Sequence, residues 1–270
     1  MHNVSETIKN RKSVRTFDGR ELEPETLEKL KEYAKNIANP FEIPVEFRFL
    51  DAKEHGLESP VVKGCEFYAA GKLPVCKNAS AAFGYSFELF VLYAQSLGVG
   101  TVWMGGTLNR DAFEKAMEVQ DGWVMPCATP LGYAADKMSV KETLMRKGIK
   151  ADTREDFGKV FFENDINTPL TKEKTGALYN AFEMVRLAPS AVNKQPWRLI
   201  LCGDTVHFYL KRAKGFGYDE KLDMQMIDVG IALCHFEISA KEDGINLQFV
   251  QDDPKICDDM EYVASYKIIR

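Results

Sequence analysis

Two segments far apart in the chain carry side chains suited to gripping a flat, phosphorylated, hydrogen-bonding cofactor. RKSVR sets Arg11, Lys12, Ser13 and Arg15 close together. Guanidinium groups hold phosphate oxygens through paired, charge-assisted hydrogen bonds that a lysine point charge does not reproduce. PSAVNKQPW places Pro189, Ser190, Asn193 and Gln195 ahead of the apolar run WRLIL. Its amides offer donors and acceptors to a heterocycle edge, and its proline and serine fix the loop. A third segment, GTVWMGG, ends on Gly105 and Gly106. Glycine has no Cβ, so backbone amides around Met104, Gly105 and Gly106 can approach a ring edge closely.

Other chemistries lack their residues. No GxSxG elbow or Ser/His/Asp arrangement supplies a nucleophile, and no strand-linked GxGxxG with a downstream acid supplies a dinucleotide fold. No catalytic side chain is expected, because the cofactor carries the chemistry. Cys65, Cys76, Cys127, Cys202, Cys234 and Cys257 form no CxxC pair and no zinc spacing, so they read as reduced thiols with no metal. His207 and His235 fall in apparent strand and helix interiors and read as packed histidines, as Trp103 and Trp197 read as core residues.

Across 270 residues the formal charge is −5, with acids and bases interspersed. That pattern argues against a nucleic-acid or membrane-surface partner. The most apolar stretch, 79–104, contains Glu88, Gln95 and several glycines and reads as a buried helix followed by a strand. The opening MHNVSETIKN lacks a basic start followed by an apolar stretch, so a cytoplasmic location is expected.

The elements that must position these loops occur twice. An offset of 146 residues brings FGYSFELFVLYAQSLGV over VGIALCHFEISAKEDGI, with Gly84 on Gly230 and Gly98 on Gly244. Each segment predicts a helix stopped by a left-handed glycine and followed by a strand. Upstream, EPETLEKLKEYAKNI and TPLTKEKTGALYNAFEMV each predict a Pro-initiated amphipathic helix, followed by the strands VEFRFLD and WRLILCGD. The chain therefore reads as two diverged units, 1–163 and 164–270, joined within 161–168. The polar loops are complementary: RKSVR and GTVWMGG belong to the first unit and PSAVNKQPW to the second. One composite site is expected.

These residues resemble the FMN-dependent nitroreductase family, in the branch with two diverged half-units in one chain, of Thermotoga type. The resemblance rests on Arg11/Ser13/Arg15, on Pro189/Ser190/Asn193/Gln195/Pro196/Trp197 and on Gly98/Gly100/Trp103/Gly105/Gly106. It implies an α+β fold, an internally duplicated pseudo-dimer with sheets flanked by long helices and flavin between the units. It implies Arg11 and Ser13 at the FMN phosphate and Arg15 at the reduced ring. Arg154 in KADTREDF is the best match to a further phosphate contact, with Lys150 and Arg146 behind it. The implied activity is hydride transfer from NADH or NADPH to FMN and then reduction of a small nitroaromatic, quinone or other conjugated acceptor. Because both loops lie in one chain, a monomeric pseudo-dimer is preferred over a homodimer.

Two alternatives stay open. One is a flavin-consuming or dehalogenating enzyme of the same fold, for which 52–77, with GCEFYAAGKLPVC, would have to form a substrate lid. The other is a non-enzymatic, flavin-binding or degenerate pseudo-dimer.

Overall fold

The structure is a computed structural model that describes residues 3–215 and 221–269. Its first half runs α1 (Val4–Asn10), α2 (Pro24–Lys35), β1 (Glu46–Asp51), α3 (Ala52–His55), β2 (Phe67–Pro74), α4 (Ala79–Ser96), α5 (Arg110–Ala116) and β3 (Trp123–Pro130). Two short helices, α6 (Val140–Gly148) and α7 (Phe157–Val160), connect it to the second half. There follow β4 (Phe161–Glu163), α8 (Tyr179–Leu187), β5 (Trp197–Cys202), β6 (Thr205–Leu210), α9 (Met224–Glu242), β7 (Asn246–Val250) and β8 (Glu261–Ile269).

The two most apolar segments become α4 and α9, buried over most of their circumference and packed on each other. Their crossing depends on two missing side chains. A Cβ on Gly84 would stand 2.0 Å from the Ile227 carbonyl oxygen, and one on Gly230 would stand 2.1 Å from that of Ala81. The contact is reciprocal, because the offset of 146 that carries Gly84 to Gly230 also carries Ala81 to Ile227. Both helices stop alike, on Gly98 at φ 77° and Gly244 at φ 75°. The next amides then close on matching carbonyls, Val99 on Ala94 at 3.0 Å and Ile245 on Ala240 at 2.9 Å.

β1, β2 and β3 form an antiparallel sheet in that order. The second sheet runs β4-β5-β6-β8-β7, with β4 parallel to β5 and the remaining pairs antiparallel. Gly100 and Met104 bridge to Gly132 and Ala128 in antiparallel fashion beside β3. The same offset places β7 over 100–104, so the two halves share a strand order as well as a helix. Trp197, Phe161, Phe182, Phe208 and Phe236 are fully buried. Each contributes roughly 1.5–3 kcal/mol through burial. Phe182 and Phe208 meet Phe236 edge-on at 5.6 and 5.4 Å.

Four expectations change in three dimensions. The segment 52–77 is not one loop: 52–55 is α3 and 67–74 is β2, the middle strand of the first sheet, with Ala69, Ala70 and Leu73 at 0% exposure, so only 56–66 lies between elements. TPLTKEKTG does not open a continuous helix, because Gly176 at φ 55°, ψ −131° breaks it and α8 begins at Tyr179. The segment after Gly98 forms isolated bridges where a strand was expected, and β4, just before residue 164, already pairs in the second sheet.

Candidate functional site

The basic loop leaves α1 at Arg11, which caps that helix in extended conformation. It is tied to the glycine segment by the Val14 amide, which donates to the Thr101 carbonyl at 2.9 Å. The Arg11 and Arg15 guanidinium groups have no hydrogen bond or ion pair among the described residues, and Arg11 Nη1 is buried without a partner. Burial lowers the Arg11 pKa, with Glu88 opposing and Arg146 adding to the shift. Burial likewise lowers Arg15, with Glu142 opposing and Arg146 and Arg11 adding. Unpaired cations kept together at this cost are the signature of an anion site. Lys12 is exposed and Ser13 half-buried, bridging to Thr101.

Arg154 joins this cluster from the connector. Its Nη1 donates to the Ala151 and Thr153 carbonyls and reaches Asn193 Oδ1 at 3.5 Å, while Nη2 donates to the Leu187 carbonyl at 3.1 Å. Its Nε is buried without a partner. Desolvation, with repulsion from Arg11 and Arg186, brings Arg154 down to about 10.

The second-half loop reaches the same place in a strained form. Val192, Asn193 and Gln195 adopt φ of 43°, 57° and 48°, a region that a β-branched residue enters only under constraint. Several bonds supply the constraint. Asn193 Nδ2 donates to the Lys150 and Thr153 carbonyls at 2.8 and 3.0 Å, and Gln195 Oε1 accepts from the Glu155 amide at 3.0 Å. Ser190 Oγ accepts from the Gln195 amide at 2.9 Å, and Pro189 precedes it, half-buried. Asn193 and Gln195 spend their side chains on residues 150–155 and hold Arg154 in place.

The glycine segment also divides its roles. The Met104 amide donates to the Ala128 carbonyl at 2.9 Å and so is withdrawn from any ligand. Gly105 and Gly106 keep amides with no partner among the described residues. A Cβ on Gly105 would stand 2.7 Å from Met224 Cε and 3.4 Å from Cys127 Sγ, whereas Gly106 is open on that side. Burial pushes the Cys127 thiol up to about 12, so it is no nucleophile at neutral pH. A cleft of about 570 Å³ opens at Gly106, lined also by Ser59, Val62, Tyr68 and Asn109. Another of about 550 Å³ is lined by Arg20, Asp51, Glu66 and Leu131. Neither is lined by the arginine cluster.

Beneath the segment, Trp103 Nε1 donates to Glu88 Oε2 at 2.9 Å, and Glu88 Oε1 lies 2.9 Å from His235 Nε2. His235 Nδ1 lies 2.8 Å from the Met184 carbonyl and His207 Nδ1 2.7 Å from Ser265 Oγ, so both histidines have packing partners. Buried Glu142 and Asp228 were not singled out from sequence, though both left traces there. Ser139-Val140-Lys141-Glu142 has capping-box spacing, and Asp228 faces Ala82 when the halves are aligned.

The constellation fits a phosphorylated flat cofactor. Unpaired Arg11 and Arg15, with Arg154 beside them, suit a phosphate dianion, and the side-chain-free amides of Gly105 and Gly106 suit a ring edge. Among the described residues no three His, Cys, Asp or Glu side chains gather as a metal site, and no helix is long and apolar enough to cross a membrane.

A family model described as "Putative TM nitroreductase" matches residues 3–240. Among solved structures, a nitroreductase of Thermotoga maritima, itself titled putative, is 19% identical, with 99% of this chain and 93% of that chain covered at a TM-score of 0.61. That likeness shows the fold, the α+β architecture expected from sequence. A nitroreductase family protein from Clostridium novyi NT is 19% identical over 50% of this chain and 86% of its own, at a TM-score of 0.43. An FMN-dependent nitroreductase from Clostridium difficile R20291 is 17% identical over 49% and 88%, at 0.42. No curated protein matches.

Proposed function

Since the chain belongs to the family described as "Putative TM nitroreductase", we propose that it binds one FMN between its halves and acts as an NAD(P)H-dependent oxidoreductase. The acceptor is a small conjugated electrophile such as a nitroaromatic or a quinone. The observation that carries this reading is the pair of unpaired guanidinium groups, Arg11 and Arg15, one with a buried orphan nitrogen.

In this reading Arg11, Ser13 and Arg154 hold the phosphate. Arg15 lies toward the ring, where positive charge favours the reduced cofactor. The amides of Gly105 and Gly106 face the ring edge, and Asn193 and Gln195 shape the second-half loop. When bound, FMN supplies the two-electron transfer between donor and acceptor. The protein binds, orients and sets the field, with no side-chain nucleophile or base. The matched helix crossing, helix stops and strand order support two diverged units; the reading further takes the chain as a monomeric, cytoplasmic pseudo-dimer with one composite site.

An absorption spectrum with released flavin quantified against chain concentration tests the reading. One FMN per chain, with NADH or NADPH oxidised in the presence of acceptor, is the expected result. Two FMN would overturn the composite site. FMN bound without turnover over a broad acceptor panel would favour a non-catalytic flavin-binding protein, and no FMN would end the proposal.

A further inference from the structure

Glu142 is 3% exposed yet forms no ion pair among the described residues. Its carboxylate accepts from the Arg15 amide at 3.1 Å and from the Thr16 hydroxyl at 2.7 Å. The acid arrives there on α6, whose N-cap Ser139 accepts the Glu142 amide on Oγ at 3.2 Å. In an ordinary capping box the acidic side chain reaches back to the N-cap amide. Here the Ser139 amide donates instead to Thr16 Oγ1 at 3.0 Å, which leaves the carboxylate free to turn onto the basic loop.

The helix thereby sets one negative charge among the cations. At Arg15 the charge of Glu142 acts against those of Arg146 and Arg11. The other acid facing the cluster, Glu88, is already engaged by Trp103 and His235, and Asp152 is paired with Arg146. Glu142 has only neutral donors, a backbone amide and a hydroxyl, and no cation is paired with it among the described residues.

We propose that Glu142 is a positioning residue that sets the affinity and reduction potential of the bound flavin by offsetting the charge of Arg15; the inference rests on the FMN reading above. With Glu142 ionised, oxidised FMN binds less tightly than the arginines alone would allow. The more negative reduced flavin is disfavoured further, so the cofactor is held as a stronger reductant. A purely structural clip predicts the reverse, because its loss would loosen the loop and weaken binding.

The test is Glu142→Gln in the full chain, with FMN titrated by fluorescence and the midpoint potential measured by dye equilibration. FMN affinity is expected to rise about three- to tenfold. Reduced flavin is expected to gain about tenfold over oxidised, which for a two-electron couple is about 30 mV toward positive. In an Arg15→Gln background both effects are expected to shrink by more than half. Should Glu142→Gln fail to fold, Glu142→Asp, which withdraws the charge by one methylene, is expected to move both quantities the same way by less. Weaker or unchanged binding, an unchanged or more negative potential, or full effects without Arg15 would overturn the proposal. A wild-type chain that takes up no FMN would instead sink the functional reading beneath it.

Discussion

Both carboxylate oxygens of Asp228 converge on the amide of Ala191, at 3.0 and 3.1 Å. An acid on the central helix of the second half thus anchors the start of the strained loop that follows Ser190. The aligned position in the first half is Ala82, and that half carries no such loop.

Burial raises Asp228 well above its ordinary 3.8, with the Ala191 hydrogen bond opposing and Asp223 adding. Between its unfolded and folded pKa values the native chain holds a proton that the unfolded chain has lost. Its stabilising contribution is therefore complete below 3.8 and is lost as pH rises through the folded value. Asp228→Asn keeps an acceptor for Ala191 and removes the titration. Its melting temperature is expected to rise relative to wild type as pH increases above the unfolded value of 3.8, and to stop rising once the folded carboxyl ionises. A difference that does not vary with pH would show that Asp228 does not change its protonation on folding.

Gly84→Ala would drive a methyl into the Ile227 carbonyl, against backbone that cannot rotate away. A loss of about 3 kcal/mol or more is expected in urea unfolding, and Gly230→Ala should match it because the contact is reciprocal. Gly148→Ala, with open space around it, serves as the contrast and should be neutral or slightly stabilising.

Arg11→Met should separate stability from binding. Removing a buried, unpaired guanidinium relieves its desolvation and its repulsion with Arg146, so the cofactor-free chain is expected to gain about 1–2 kcal/mol. FMN affinity should fall at least about tenfold with the loss of a charge-assisted contact. Thermal melts with and without FMN would read both, and a variant that binds FMN like wild type would remove Arg11 from the site.

Asn193→Ala breaks the bonds to the Lys150 and Thr153 carbonyls and places alanine at φ 57°. A loss of about 1–3 kcal/mol is expected, together with weaker FMN binding through a displaced Arg154. Asn193→Gly tolerates the backbone angle but cannot tie the connector, so it should recover part of the stability and little of the affinity. Full recovery of affinity in the glycine variant would show that only the loop's shape matters.

Much of the scaffold was legible in the chain because its causes are local. Apolar spacing and glycine stops specify where α4 and α9 run and end, since a left-handed C-cap needs only the residue at Gly98 or Gly244. The shared offset of 146 follows from the same local signals, as does the clustering of Arg11, Ser13 and Arg15. Periodicity misled where tertiary pairing took over. β2 fell inside the segment read as a lid although it pairs with β1 before it and with β3 further on, and Gly176 interrupted a helix that propensity would have continued.

The use of each polar group was decided only in three dimensions. A hydrogen bond is assigned by whichever partner the fold brings within reach, and here the partners stand far apart in sequence. Glu142 meets the amide of Arg15, 127 residues away, and Asn193 meets the Lys150 carbonyl, 43 away. The sequence supplied amides and guanidinium groups of equal promise. Packing spent the Asn193 and Gln195 amides and the Met104 N–H on the protein itself and left Arg11 and Arg15 unpaired, because the acids among the described residues that face those two cations, Glu88 and Glu142, are held by other donors.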